Sequence, residues 1–239
     1  MEQEIHGNET FRQKFRRNNL ETKTKRITFG IRVFILVGIF ISGVLNSITG
    51  WAVQQTVVEC IEDKGFQIFE AINKIFAGNE NLKMIFISIA AGLCDLLFVI
   101  FAVRFLFWGS SSKSIVFLFI YYSLAGFMKI IFTATPANGA CWEDAYPSFI
   151  LPDEISPNFY YSTAPGLLLF FVFEYYSSQN KPLMWLSVVT LAFVSLISII
   201  LQKDYTVGII SSLCMSHYLN IISERISSIL DPIVFPTKD

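Results

Sequence analysis

The sequence predicts an all-α fold, a single polytopic membrane domain built as a bundle of six transmembrane helices. Three observations carry that expectation. Of 239 residues, 53% are apolar and only 15% charged, with a mean hydropathy of +0.53, too apolar a mixture for an ordinary soluble domain. Runs of about 18 or more nearly uncharged residues recur along the chain, and lipid, which cannot hydrogen-bond a bare backbone, admits such runs as helices. The basic residues flanking the runs give the loops sides that agree with one another.

Residues 1–29 form a polar segment whose basic part, "FRQKFRRNNLETKTKR", carries Arg12, Lys14, Arg16, Arg17, Lys23, Lys25 and Arg26. This charge is expected to hold the N-terminus on the inner side, cytosol or matrix. The stretch around Arg12, Arg16 and Arg17 also suits lipid headgroups or partner subunits of a complex. No secretory signal peptide is visible, and the acidic "MEQE" start disfavours a mitochondrial presequence, so the first span is expected to act as its own insertion signal.

The spans are expected at 31–57, 84–108, 114–134, 160–176, 183–201 and 205–222, the fourth being the shortest. Together, residues 30–225 make the membrane domain, followed by a short tail at 226–239. The loop at 135–159 contains Glu143, Asp144, Asp153 and Glu154 and no Lys or Arg, which puts it outside. Loops 58–83 and 202–204 share that side. The loops near 109–113 and 177–182 lie inside with both termini.

A net charge of −1 argues against a nucleic-acid partner, and no cofactor or metal site is expected. The four cysteines make no framework. Cys94 and Cys214 fall within spans as small packing residues, whereas Cys60 and Cys141 both lie outside and could bridge in an oxidising lumen. Neither outer loop contains a glycosylation sequon, and the match at Asn8 lies inside.

Three segments carry a resemblance in order and spacing. They are "FYYSTAPGLLLFF" (159–171), "KDYTVGII" (203–210) and, more loosely, "FTATPANGAC" (132–141). The first resembles the aromatic-Ser-Gly-His segment opening the fourth span of sphingomyelin synthases and plant phosphatidylcholine:diacylglycerol cholinephosphotransferases. The second is similar to their His-Tyr-Thr-x-Asp segment at the start of the sixth span. The third is similar to their Thr-x-Leu-Pro-x-Pro stretch ending the third span. The resemblance covers about residues 30–225 and implies the six-helix core of the type 2 phosphatidic acid phosphatase group.

In those enzymes the His before Tyr-Thr attacks the lipid phosphate, an Asp four residues later orients it, and the His of Ser-Gly-His protonates the leaving alcohol. Such covalent catalysis needs an imidazole nucleophile and a positioned acid. On that pattern the nucleophile position holds Asp204, the orienting position Gly208 and the acid position Ala164. The scaffold residues Ser162, Tyr205 and Thr206 remain, while Gly126 stands about where the family carries an Arg. Of the two histidines, His6 lies in the leader, and His217 is 13 residues past Asp204, about 20 Å along a helix. Neither replaces the missing pair.

Other polar residues in the spans have their own readings. Asp95 sits mid-span, where a carboxylate is costly, and it could pair with Lys129 or Arg104 or serve transport. Lys129 can snorkel or face a headgroup. Glu174 reads as interfacial. Tyr121, Tyr122, Tyr160, Tyr161, Tyr175 and Tyr176 come in pairs near expected membrane faces, where an aromatic belt accounts for them.

The function expected is therefore that of a catalytically inactive relative, a structural, lipid-binding accessory subunit of a larger membrane complex. Its place is the mitochondrial inner membrane or the endoplasmic reticulum or Golgi. A phospholipid would lie in a cleft at the outer ends of spans three, four and six, contacted by Lys129, Lys203, Ser162 and Tyr205. The alternatives are an active lipid phosphotransferase or phosphatase with substituted machinery, and a transporter or channel subunit resting on Asp95 and Lys129.

Overall fold

A computed structural model describes residues 26–38, 41, 63–109, 111–131 and 161–234. Among the described residues the chain is entirely helical, with no strand. Helix α1 covers 26–38, α2 Lys64–Ala77, α3 Glu80–Trp108, α4 Lys113–Ile131, α5 Thr163–Ser177, α6 Lys181–Ile200 and α7 Thr206–Val234.

Local chemistry fixes where these helices start and stop. Asn79 caps α3 by accepting from Leu82 N at 3.1 Å, and Asn180 caps α6 by accepting from Leu183 N at 3.3 Å, with Pro182 in the first turn. Helices α5 and α6 end alike. Gln179 and Gln202 take left-handed φ of 54° and 53° just past the caps. Beyond them, Asn180 N donates back to Tyr175 O and Lys203 N to Ser198 O, both at 2.9 Å. This is the Schellman arrangement, which glycine usually supplies because a Cβ disfavours the left-handed region. Gln179→Gly is therefore expected to raise stability by about 0.5–1 kcal/mol, less than the full conformational penalty because glycine frees the unfolded chain. Thermal melting in detergent checks this; an equal gain from Gln179→Ala would show that backbone conformation is not the cause.

Helix α5 is the axis of the bundle. None of residues 161–175 is exposed, and α6 and α7 pack along it. A helix apolar on every side suits only such a position. Around it Phe117 stacks on Phe170 at 4.3 Å between centroids, and Phe101 meets Phe170 edge-on at 5.5 Å. At the first turn of α5 the packing is closest. Tyr121 donates its hydroxyl to Thr163 O at 2.6 Å, and its ring lies so close to Gly166 that any Cβ there would strike it. Ser216 Oγ donates to Gly166 O at 2.6 Å from the other side.

Helices α3 to α7 run alternately up and down. One end gathers Asp63, the start of α5 and the α6–α7 turn. The other gathers the α3–α4 turn, the C-terminus of α5 and the end of α7, where Asp231 accepts from Ser112 N at 2.6 Å and from Ser111 Oγ at 2.8 Å. Helix α1 meets this second end, with Arg32 Nη1 donating to Leu106 O at 3.3 Å. The turns that follow α3 and α5 both lie at this second end.

Several expectations need correction. Among the described residues three helices, not six, are long and apolar enough to cross a membrane: Glu80–Phe107, Lys181–Ile200 and Thr206–Asp231. Their outward faces remain apolar, with Ile85, Leu96, Val99, Trp185, Val189 and Ile210 exposed, as lipid-facing surfaces require. Over 114–134 the apolar helix is shorter, Lys113–Met128, and α5 has 15 residues. Of the run at 31–57 only the helical stretch to 38, and residue 41, are described.

Residues 58–83, read as a loop, hold helix α2, because Asp63 caps a segment with Phe66, Asn73 and Phe76 on one buried face. The supposed tail from 226 continues α7 to Val234, held by Asp231. Tyr121, Tyr122, Tyr161 and Tyr175 are core residues rather than a belt; of the described members only Tyr176 is exposed, at 71%. Burial suits these tyrosines where a carbonyl meets the hydroxyl, as Leu97 O does for Tyr175 at 3.1 Å. Cys94 is buried as expected, but Cys214 is exposed on the outside of α7. Asp95 is half-buried and does not pair with Arg104, which lies over the Tyr175 ring at 5.9 Å.

Candidate functional site

The end of the bundle where α5 and α7 begin brings together the residues singled out by the sequence. Ser162 N donates to Gly208 O at 3.1 Å, so the backbone entering α5 touches the first turn of α7. That contact sets Ala164 and Gly208, both buried, on adjoining turns. Lys203, Asp204 and Tyr205 form the tight α6–α7 turn just before them. Lys203 N and Asp204 N both reach Ser198 O, at 2.9 and 3.5 Å, which folds the turn inward.

An open cleft with these residues at its mouth was expected. The turn is instead packed inside, with Lys203 6% and Asp204 4% exposed, Ser162 1% and Tyr205 4%. The physical reason is the Schellman end of α6, which curls the chain back over the helix, and α2, which lies across it. Phe66 packs on Tyr205 with ring centroids 5.2 Å apart, and Asn73 Nδ2 donates to Ile200 O at 2.8 Å. The side chain of Lys129 lies outside the described residues, as do Cys60, Cys141, Tyr160, His6, the segment 132–160 and the leader with Arg12, Arg16 and Arg17.

Sequence reasoning missed Asp63. One carboxylate oxygen, Oδ1, accepts from Gly65 N at 2.7 Å, and the other, Oδ2, accepts from Thr206 N at 2.6 Å. A single side chain thus caps α2 and α7, placing negative charge at the positive ends of both. Gly65 permits it, since a Cβ there would run into Thr206 Oγ1. The available signal was an Asp before an amphipathic stretch; its second partner lies 143 residues away and leaves no local trace. On the outer face of α2, Lys74, first by its hydrogen bond and then by its charge, holds the Glu70 carboxyl below the usual range; the pair is exposed and adds little to stability.

Among the described residues the junction is rich in hydroxyls that find no partner. Ser162 Oγ, Thr163 Oγ1, Ser198 Oγ and Thr206 Oγ1 are buried without a described hydrogen bond, all on the segments that meet here. Each such group costs about 1–3 kcal/mol relative to a satisfied one, so their gathering marks a place suited to a polar guest. The described histidine, His217, is elsewhere, exposed on α7 beside Phe173 at 5.9 Å. Among the described residues no group of three metal-ligating side chains occurs.

No family model, curated protein or solved structure matches the chain. The resemblance to lipid phosphotransferases rests on its three sequence segments, two of which the fold sets side by side.

Proposed function

We propose that the chain is a catalytically inactive relative of the sphingomyelin synthases and cholinephosphotransferases, kept as a structural, lipid-binding subunit of a larger membrane complex. In this reading α4, α5 and the run at 31–57 complete a six-span bundle with both termini on the matrix or cytosolic side. The membrane is the mitochondrial inner membrane or that of the endoplasmic reticulum or Golgi.

One observation carries the reading. At the junction of α5 and α7, where the resembling enzymes need a proton donor and an orienting carboxylate, this chain has Ala164 and Gly208, both buried, on turns joined by the Ser162 N–Gly208 O bond. Neither can move a proton. Asp204, at the nucleophile position, is buried in a tight turn away from any described imidazole. The unpartnered hydroxyls beside it favour a polar guest over chemistry, with Lys129 from α4 as its cation; Lys203, Ser162 and Tyr205, expected as lipid contacts, are packed inside the turn.

The test is turnover in proteoliposomes. The purified chain should neither transfer phosphocholine from phosphatidylcholine to ceramide or diacylglycerol nor hydrolyse phosphatidic acid above empty liposomes. Asp204→Ala should leave that background unchanged. Turnover that disappears in Asp204→Ala would overturn the reading.

A further inference from the structure

The opposite end of the bundle holds a second feature that the reading above does not use. A cleft of about 270 Å³ lies between the C-terminal turns of α3 and α5 and the start of α4. Its lining is divided by chemistry. Phe101, Phe105 and Tyr175 supply an aromatic part, and Arg104, Lys113 and a group of serines supply a polar one.

The charges are unevenly satisfied. Glu174 accepts from Ser114 Oγ at 3.1 Å, and Asp231 is taken up by Ser111 and Ser112. Lys113, with 17% of its side chain exposed, has the largely exposed Glu224 at 3.6 Å, beyond a good hydrogen bond, and shares with Arg104 the charge of Glu174 across the cleft. Arg104 is half-buried, and its described contact is the face of the Tyr175 ring. Among the described residues its guanidinium makes no ion pair and no hydrogen bond, so five N–H donors at the rim of a cleft await an acceptor. With Arg104 and Lys113 against Glu174, the lining carries one net positive charge.

The geometry points to a binding site for a phosphate group, supplied by an anionic phospholipid whose headgroup meets Arg104 and Lys113 and whose glycerol end lies against Phe101 and Phe105. A guanidinium binds phosphate oxygens in pairs, and because Ser111, Ser114 and Ser178 already donate their single hydroxyl protons to Asp231, Glu174 and Tyr175 O, the phosphate is held by Arg104 and Lys113. The aromatic half of the lining favours lipid over a soluble anion, because a free phosphate gains nothing from it. The position agrees, since the cleft opens at the ends of the helices whose apolar faces meet lipid, where basic pockets hold headgroups. This site stands apart from the α5–α7 junction, and neither proposal depends on the other.

Native mass spectrometry of the full chain in detergent, titrated with phosphatidylglycerol or phosphatidylcholine, tests it. Wild type should retain phosphatidylglycerol preferentially. Arg104→Gln should weaken retention roughly 10- to 100-fold, the loss of charge-assisted hydrogen bonds, and Lys113→Gln should weaken it less. Arg104→Lys should restore part of it. Melting without added lipid should be alike in wild type and Lys113→Gln, which keeps the comparison valid if Arg104→Gln folds poorly. Equal retention by wild type and Lys113→Gln, or no preference for the anionic lipid, would overturn the site. Stabilisation by inorganic phosphate as great as by phosphatidylglycerol at the same concentration would overturn the lipid assignment.

Discussion

Gly166→Ala is expected to be among the most damaging single substitutions in the described bundle. The added methyl would enter space held by the Tyr121 hydroxyl and ring edge, and that ring cannot step aside. Its hydroxyl is tied to Thr163 O at 2.6 Å, and Phe117 and Tyr161 pack against it at 5.5 and 5.2 Å. Ser216 holds the Gly166 carbonyl from α7, so the backbone of α5 is pinned as well. Overpacking of this kind costs about 3 kcal/mol, a fall in Tm of roughly 6–12 °C for a chain of this size. Thermal melting in detergent reads the fall, and a double-mutant cycle identifies the cause. In a Tyr121→Phe background, where the nearest atom is gone, the cost of Gly166→Ala should shrink. The same cost in both backgrounds would show that the clash is not with the Tyr121 hydroxyl.

Asp63→Ala should come next, because it uncaps two helices at once. Each lost cap costs about 0.5–2 kcal/mol, so the sum is about 1–4 kcal/mol. Asn79→Ala removes one cap, that of α3, and serves as the comparison. The damage should also be local to two places far apart in sequence. Hydrogen exchange should speed up in the first turns of both α2 and α7 in Asp63→Ala, and in α3 alone in Asn79→Ala. If Asp63→Ala costs no more than Asn79→Ala and leaves the amides of α7 protected, the shared cap is not a stabilising feature.

What could be read from the sequence divides by the range of the signal. Helices α3, α6 and α7 were legible because a long apolar run is a local property, and the charges flanking them are local too. That the segments 159–171 and 203–210 meet at one end of the bundle was expected from the resemblance rather than from any physical period, and the Ser162–Gly208 contact itself was not foreseen. Helix α2 was hidden by its own polarity: Glu70 and Lys74 on its outer face gave 58–83 the look of a loop, although Ile68, Ile72 and Ile75 recur at helical spacing. The Schellman ends were hidden because Gln179 and Gln202 stand where a glycine would have announced them. The tyrosines misled for another reason. A pair of tyrosines near a helix end is equally compatible with an interface and a core, and only the carbonyls of Thr163 and Leu97, waiting inside, decide between them.

The enclosure of α5 has a consequence for how the protein is made. With 15 residues the helix reaches about 22 Å, short of a hydrocarbon layer of about 30 Å. Its sides face protein, so little of the free energy that holds it in place comes from the bilayer. Much of that energy comes instead from α6 and α7, which leave the ribosome after it. A nascent chain that has just completed α5 can dock it only on α3 and α4, through contacts such as Phe117–Phe170 and Tyr121–Thr163. The remaining sides of this central element stay uncovered until the two helices that follow it arrive.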